Sequence, residues 1–341
     1  MLGLEEDYNK SRLLKNRILG NTGANVSEIG FGAWAIGGGW GPQANDESIA
    51  ALNKALDLGV NFIDTAEVYG NGKSEQIIGE VLRSRNSQVY VATKTPPTPG
   101  KWPPSPYCKA EDRYPEAYLR KNIDERRKNL GVDCIDLLQL HTWTRAWNRN
   151  PTPLDVLKKI QAEGKIKHIG ISTPEHDQNS LIELMRKGYL DAVQVIYNIF
   201  EQEPVAELLP AAIEHNVGVI IRVAFDEGSL TGKYVLGQEF HADDFRSRYF
   251  QADRLDRTVS RVERIKEDLA KLMPADSYTL ADVALRFVLA HPAVSTIIPG
   301  IRNVYQAEAN TKVSDMPPLP DAVIHKLREH YWHRGIWYGG K

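Results

Sequence analysis

The chain has 341 residues, 42% of them hydrophobic and 25% charged, which is enough apolar material for a sizeable core. Its 42 Lys and Arg against 44 Asp and Glu leave a net charge of -2, with no basic run interleaved with aromatics, so nothing points to a nucleic-acid or polyanion partner. Apolar stretches stop well short of the ~20 residues of a membrane span, and residues 1–10 lack an apolar secretory core; the reading is a soluble, cytoplasmic protein. Cys108 and Cys134 are too few and too far apart for a disulfide framework or a thiolate metal site and read as reduced bystanders.

In chain order, short β-branched apolar runs alternate with longer segments of helical period, the pattern of parallel strands joined by crossover helices. Strands are predicted at 26–34, 61–66, 89–94, 135–141, 166–172, 192–198, 218–223 and 294–299. The helical segments that follow them are 46–58, 74–83, 118–130, 153–163, 178–187, 205–215, the pair 255–272 and 279–290, and 304–313. Eight such units fit an α/β fold of the closed (β/α)8 TIM-barrel type, because closure leaves no exposed sheet edge. A single domain over 1–341 with an aromatic C-terminal tail follows. Three long connections, 95–116, 141–152 and 224–254, all come after strands, and long loops at one barrel end build a pocket.

In such a barrel the reacting groups sit where strands end. Asp64 ends the second strand, and Tyr69 follows it in FIDTAEVYG; Lys94 ends the third (VYVATK) and His141 the fourth (DLLQLH). Each alone has a duller explanation, as a helix cap, a core phenol, a snorkelling lysine or a satisfied structural histidine. Placed on successive strand ends they converge on one rim, where unpaired charges are costly unless they pair with each other. Reduction of a carbonyl builds negative charge on its oxygen and needs a proton donor there. Tyr69 suits that role, an adjacent Lys94 ammonium would lower a phenol pKa of about 10, Asp64 would hold Lys94, and His141 would orient the carbonyl.

The order FIDTAEVYG, Lys94, His141, with IGFGAW before it and GKIKHIGIS, VQVIYNIFE, LTGKY and IIPGIRNVYQAEAN after it, resembles the aldo-keto reductase superfamily over nearly the whole chain. The likeness is to the bacterial-type branch related to potassium-channel β-subunit-like reductases, although the β-subunits lack the histidine that stands here as His141. The resemblance implies an NAD(P)-dependent oxidoreductase acting on a small carbonyl or alcohol, with a nicotinamide cofactor bound across the barrel mouth without a Rossmann domain. It carries cofactor contacts onto Trp34, Asp64, Ser172, Thr173 and Gln194, and onto Gly300, Arg302, Gln306 and Asn310 for the adenosine half, with Lys233, Arg246 and Arg248 as candidates for the pyrophosphate. Relatives place a stacking aromatic where Arg222 stands, so Arg222 either stacks or turns to a phosphate. A single arginine, Arg302, beside a helix start favours NADP(H) and leaves NAD(H) usable.

Trp102, Trp143 and Trp147 are expected to wall the substrate pocket, with Trp34 and Tyr107, and Trp332, Trp337 and Tyr338 of the tail to close over it. Two other functions compete: a Schiff-base lyase using Lys94, and a nicotinamide-binding regulatory subunit with little turnover. No strand-end His-x-His or carboxylate cluster suggests a metal.

Overall fold

A computed structural model of the protein describes residues 14–38, 40–41 and 43–334. Strands β1 (Asn16–Ile18) and β2 (Asn25–Ser27) form an antiparallel hairpin. Eight parallel strands follow in sequence order around one sheet: β3 (Phe31–Gly32), β4 (Phe62–Asp64), β5 (Tyr90–Thr95), β6 (Ile135–Leu140), β7 (Ile166–Ser172), β8 (Ala192–Ile196), β9 (Gly218–Arg222) and β10 (Thr296–Ile297). The two end strands meet. Gly30 N–H donates to Ile297 C=O at 2.7 Å and Gly32 N–H to Pro299 C=O at 3.1 Å, with parallel bridges at Ile29–Ile297 and Gly32–Gly300. A curled eight-stranded parallel sheet of this order fits the (β/α)8 expectation.

The helices are α1 (Asn45–Asp57), α2 (Lys73–Arg85), α3 (Ala110–Arg113), α4 (Glu116–Leu130), α5 (Thr152–Ala162), α6 (Ile182–Arg186), α7 (Leu208–Glu214), α8 (Phe245–Tyr249), α9 (Arg254–Leu272), α10 (Leu280–Leu289), α11 (Val304–Lys312) and α12 (Asp321–Arg328). Their buried faces follow the helical period: α9 buries Leu255, Thr258, Val259, Val262, Ile265 and Leu269. Thr279 and Asp282 form a reciprocal capping box that starts α10, and Asn303 caps α11 through Gln306 N–H. Among the described residues no helix is long and apolar enough to cross a membrane.

Several expectations are corrected. The strand predicted at 26–34 is two elements: its start pairs backwards in the hairpin, and only Phe31–Gly32 joins the parallel sheet. The break falls where Ser27 N–H is taken by the Asn61 side chain at 2.6 Å and Glu28 by Arg17 at 2.9 Å, long-range partners that alternation does not reveal. The hairpin plugs one end of the sheet. Leu19 and Val26 pack with Phe62, Ala92, Leu137, Ala192 and Ile220 of the interior, and a Cβ on Gly218 would lie 2.6 Å from Leu19 Cδ1, so glycine makes the room. The segment 178–187 opens as a 3-10 turn before α6. The short helices α3 and α8 lie inside long loops, and α12 follows the last predicted helix.

Candidate active site

At the C-terminal ends of the strands lies a cavity of about 1280 Å³, lined among others by Trp34, Asp64, Tyr69, Trp102, His141, Ser172, Gln194 and Arg222. Drug-sized pockets run to roughly 300–1,000 Å³, so this one has room for more than a small carbonyl compound. Asp64 and His141 reach it from the ends of β4 and β6, and Lys94, at the end of β5, lies just behind Tyr69 without lining it.

The Lys94 ammonium is fully buried and donates to three oxygens: Asp64 Oδ1 at 2.5 Å, Thr65 C=O at 2.9 Å and Tyr69 Oη at 3.2 Å. Those three contacts use every N–H it has. The other Asp64 oxygen accepts from Gln194 Nε2 at 2.7 Å and Gln139 Nε2 at 3.0 Å, so the buried carboxylate is held on both sides. Burial draws the Lys94 proton affinity down, but Asp64 and Tyr69 more than offset it and the net shift is upward. The His141 ring stands edge-on to Tyr69 at 6.1 Å and to Trp102 at 5.6 Å.

Tyr69 departs from expectation in one respect. It is partly exposed to the cavity, yet its phenol lies deep enough that burial is the leading influence and raises its pKa; Lys94 opposes, Asp64 adds to the rise, and the net is upward. The lysine therefore acts in the direction expected of it without winning. The loop carrying Tyr69 is fixed by backbone contacts. Tyr69 N–H donates to Ala66 C=O at 3.1 Å and Ser74 N–H to Tyr69 C=O at 3.2 Å. A Cβ on Gly37 would come within 2.5 Å of the Tyr69 carbonyl carbon, so only glycine allows this approach.

The remaining candidates divide. Trp34 borders the cavity and packs against Tyr69 at 6.5 Å, Trp40 at 6.0 Å and Phe245 at 5.2 Å. Ser172 also borders it. Thr173 does not: it is buried, and its N–H and hydroxyl both donate to Gln194 C=O. Gln194 borders the cavity and donates its side-chain amide to Asp64. Arg222 lines the cavity and is tied to the Thr173 carbonyl at 3.1 Å and to Glu175 at 3.7 Å. Arg246 is bound to Asp244 and Tyr234 and lies over the Trp40 ring at 4.6 Å, a clasp within the cavity wall.

On the adenosine side, Arg302 Nε donates to Gln43 Oε1 at 2.9 Å and its Nη1 to Trp40 C=O at 3.1 Å. Gln306 accepts from Arg302 N–H at 2.7 Å, and Asn310 donates to Gly300 C=O at 3.4 Å. Gly300 borders the cavity with open space where a Cβ would stand. Lys233 and Arg248 are exposed at the cavity edge, Lys233 facing the Tyr305 ring at 5.8 Å.

Two of the three expected substrate-wall tryptophans are corrected. Trp143 and Trp147 belong to the core behind the site: both are buried, their rings meet at 5.1 Å, and their N–H groups donate to Asn148 Oδ1 and Cys108 C=O. Trp102 alone of the three lines the cavity. Tyr107 points to solvent at 97% exposure. Trp332 packs on Phe200 at 5.6 Å in the core, not over the cavity, while Trp337 and Tyr338 lie outside the described residues. Arg334, the last described residue, pairs with buried Asp226 of the cavity-wall loop at 2.5 Å and donates to Tyr249 of α8 at 3.2 Å.

Sequence reading missed Gln139 and the Thr65 carbonyl. The signal for Gln139 was present: in DLLQLH it shares the inward-facing register with Leu137 and His141, and a polar residue there needs a buried partner.

Comparison with known proteins places the chain in a family. Residues 28–331 match the sequence model of the Aldo/keto reductase family. The chain is 29% identical over 331 residues to aldo-keto reductase yakc [NADP(+)] of Schizosaccharomyces pombe, covering 93% of this chain and 91% of that protein. It is 28% identical over 337 residues to the NADH-specific methylglyoxal reductase of Escherichia coli, covering 93% and 98%. Among solved structures, a glycerol dehydrogenase from Gluconobacter oxydans superposes with a TM-score of 0.75 at 28% identity, over 93% of this chain and 94% of that one.

Proposed function

The chain belongs to the aldo/keto reductase family of NAD(P)-dependent oxidoreductases, and from that premise we propose that it interconverts a small carbonyl compound and its alcohol, with Tyr69 as general acid and base. The observation that carries the reading is the Lys94 Nζ to Tyr69 Oη hydrogen bond of 3.2 Å, backed by the Lys94–Asp64 pair. Because Lys94 donates to Oη, the phenol's own O–H is left to point elsewhere, and the cavity is the open side. Burial keeps Tyr69 protonated at neutral pH, the state a donor to a reduced carbonyl needs. The ammonium beside it steadies the phenolate left after the proton has gone. Asp64 keeps Lys94 charged, and His141, at the same rim, supplies a second polar contact to the carbonyl oxygen.

When bound, the dinucleotide supplies the hydride. The residues present suit such a group: the cavity exceeds what the carbonyl needs, Gly300 leaves an open backbone surface, and Arg302, Lys233 and Arg248 gather cations along one side. Ser172, Trp34 and Arg222 would face its nicotinamide end, and Gln306 and Asn310 its adenosine end. NADP(H) is favoured over NAD(H), with both accepted; the two relatives above, one named for NADP(+) and one NADH-specific, bracket that range. Aldehydes, ketones, sugars and ring ketones are the class to screen, with Trp102 as pocket wall; one relative is named for methylglyoxal and one solved structure for glycerol. We take the whole chain as one closed-barrel domain. A Schiff-base lyase is disfavoured, since Lys94 has all three N–H groups engaged, gains proton affinity and does not line the cavity.

The test is Tyr69→Phe and Lys94→Met, assayed by oxidation of the reduced dinucleotide with a carbonyl panel and by fluorescence titration of its binding. A general acid contributes roughly 10²–10⁴-fold, so Tyr69→Phe is expected to lose at least a hundredfold in kcat while dinucleotide Kd stays within about twofold. A loss under tenfold means another group moves the proton.

A further inference from the structure

Building on the proton-transfer reading of Tyr69 and Lys94, we propose that Arg126, which lies outside the cavity, is the positioning residue that holds those two side chains in contact, acting through Glu67 and Glu75. On β5 the Lys94 side chain faces inward, so its neighbours Thr93 and Thr95 face the helix layer. Both hydroxyls are tied there: Thr93 donates to Glu75 Oε1 at 2.6 Å, and Thr95 to Asn122 Oδ1 at 2.8 Å. Asn122 in turn donates to Glu67 Oε2 at 2.5 Å.

Glu67 stands two residues before Tyr69. Its N–H donates to the Lys94 carbonyl at 3.2 Å, and its own carbonyl accepts Gly72 N–H at 2.7 Å, which closes the loop that carries the phenol. Arg126 of α4 joins the two carboxylates, with Nε 2.7 Å from Glu75 Oε2 and Nη1 2.8 Å from Glu67 Oε2. One planar guanidinium thus links the strand bearing Lys94, through Thr93 and Glu75, to the loop bearing Tyr69, through Glu67. None of Glu67, Glu75 or Arg126 lines the cavity.

The composition of the network argues for geometry over stability. Arg126 is 4% exposed and Glu75 0%, and burial raises the Glu75 pKa against the pull of Arg126. Glu67 is partly exposed, and a buried ion pair such as Arg126 with Glu75 is often no more stabilising than apolar residues of the same volume. What the guanidinium gives instead is a fixed spacing between the two carboxylates, held by close ion pairs of 2.7 and 2.8 Å rather than by aligned hydrogen bonds. Catalytic groups need such support to stay within about 0.5 Å of a productive arrangement.

The experiment compares Glu67→Gln and Arg126→Lys with wild type in the full-length enzyme. Both keep volume and polarity and break the two-carboxylate fork. A 1 Å misplacement costs up to about a hundredfold, so kcat is expected to fall tenfold to a hundredfold. The KM of the carbonyl substrate and the Kd of the dinucleotide stay within about twofold, and the solvent isotope effect on kcat grows as proton transfer becomes slower. Wild-type kcat in both variants overturns the proposal; so does a loss of kcat matched by an equal weakening of dinucleotide binding with no change in isotope effect. If Arg126→Lys does not fold, Glu75→Gln, which removes the other carboxylate that Arg126 pairs with, decides in the same terms. Tyr69→Phe and Lys94→Met run alongside separate the two claims. If these retain wild-type rates the proton-transfer reading fails, whereas if they are inactive while the network variants match wild type, the positioning role alone fails.

Discussion

Replacing Glu201 with Gln separates the cost of a buried charge from the packing around it. Glu201 is 8% exposed, and burial pushes its carboxyl up to about 7 from an ordinary 4.5, with the Arg334 guanidinium opposing and Glu203 and Asp226 adding to the rise. The folded chain therefore holds this proton more tightly than the unfolded chain does. Below pH 4.5 both states carry it and ionisation has no effect on stability. As the pH rises from 4.5 to 7 the unfolded chain ionises first, and folding loses up to roughly 3 kcal/mol, at about 1.4 kcal/mol per tenfold in proton affinity. Above 7 the penalty is constant. Glu201→Gln keeps the shape and has no proton to lose, so urea denaturation is expected to find the two proteins alike near pH 4.5 and the variant about 2–3 kcal/mol more stable at pH 8. A gap of equal size at both pH values refutes the reasoning, and a variant less stable at pH 8 makes Arg334, not burial, the dominant influence.

Two further outcomes separate pocket from core and test the adenosine side. Trp143→Ala is expected to cost about 3–5 kcal/mol in denaturation with the ranking of substrates unchanged, whereas Trp102→Ala shifts kcat/KM ratios across the carbonyl panel with little loss of stability; the reverse pattern would return Trp143 to the pocket wall. If Arg302 releases Gln43 and the Trp40 carbonyl to take a 2′-phosphate, Arg302→Ala lowers the NADP(H) to NAD(H) ratio of kcat/KM about tenfold to a hundredfold, the worth of a charge-assisted hydrogen bond of roughly 1.5–3 kcal/mol. An unchanged ratio transfers that role to Lys233 or Arg248.

What the sequence made legible and what it hid follow from the range of the forces involved. Ile166–Ser172 and the register of β4 to β9 are local: an apolar, β-branched run bounded by turn residues has few other ways to be buried, and the strand ends then place Asp64, Lys94 and His141 on one rim without further information. The hairpin of β1 and β2 was hidden because its first strand is short and half exposed, and its register depends on Asn61 and Val294, far along the chain. Trp143 and Trp147 were misplaced because an aromatic in a loop looks alike in sequence whether its partner is a ligand or, as here, Asn148 and Cys108. Arg302 and Arg246 follow the same rule: a cation near a supposed phosphate site is visible as a letter, while the glutamine or aspartate already holding it is visible only in three dimensions. The upward shift of Tyr69 had the same cause, since proximity of Lys94 could be read from the motif and depth of burial could not.

The stopper formed by Leu19 and Val26 bears on traffic. With that end filled by side chains packed among the strands, the loop face is the doorway to Tyr69. Two ligands that share a doorway must queue: whichever lodges deeper is locked in until the shallower one departs. Departure times, not only chemistry, then enter the turnover rate. A molecule that merely sits at the threshold slows the cycle by detaining what lies beneath it.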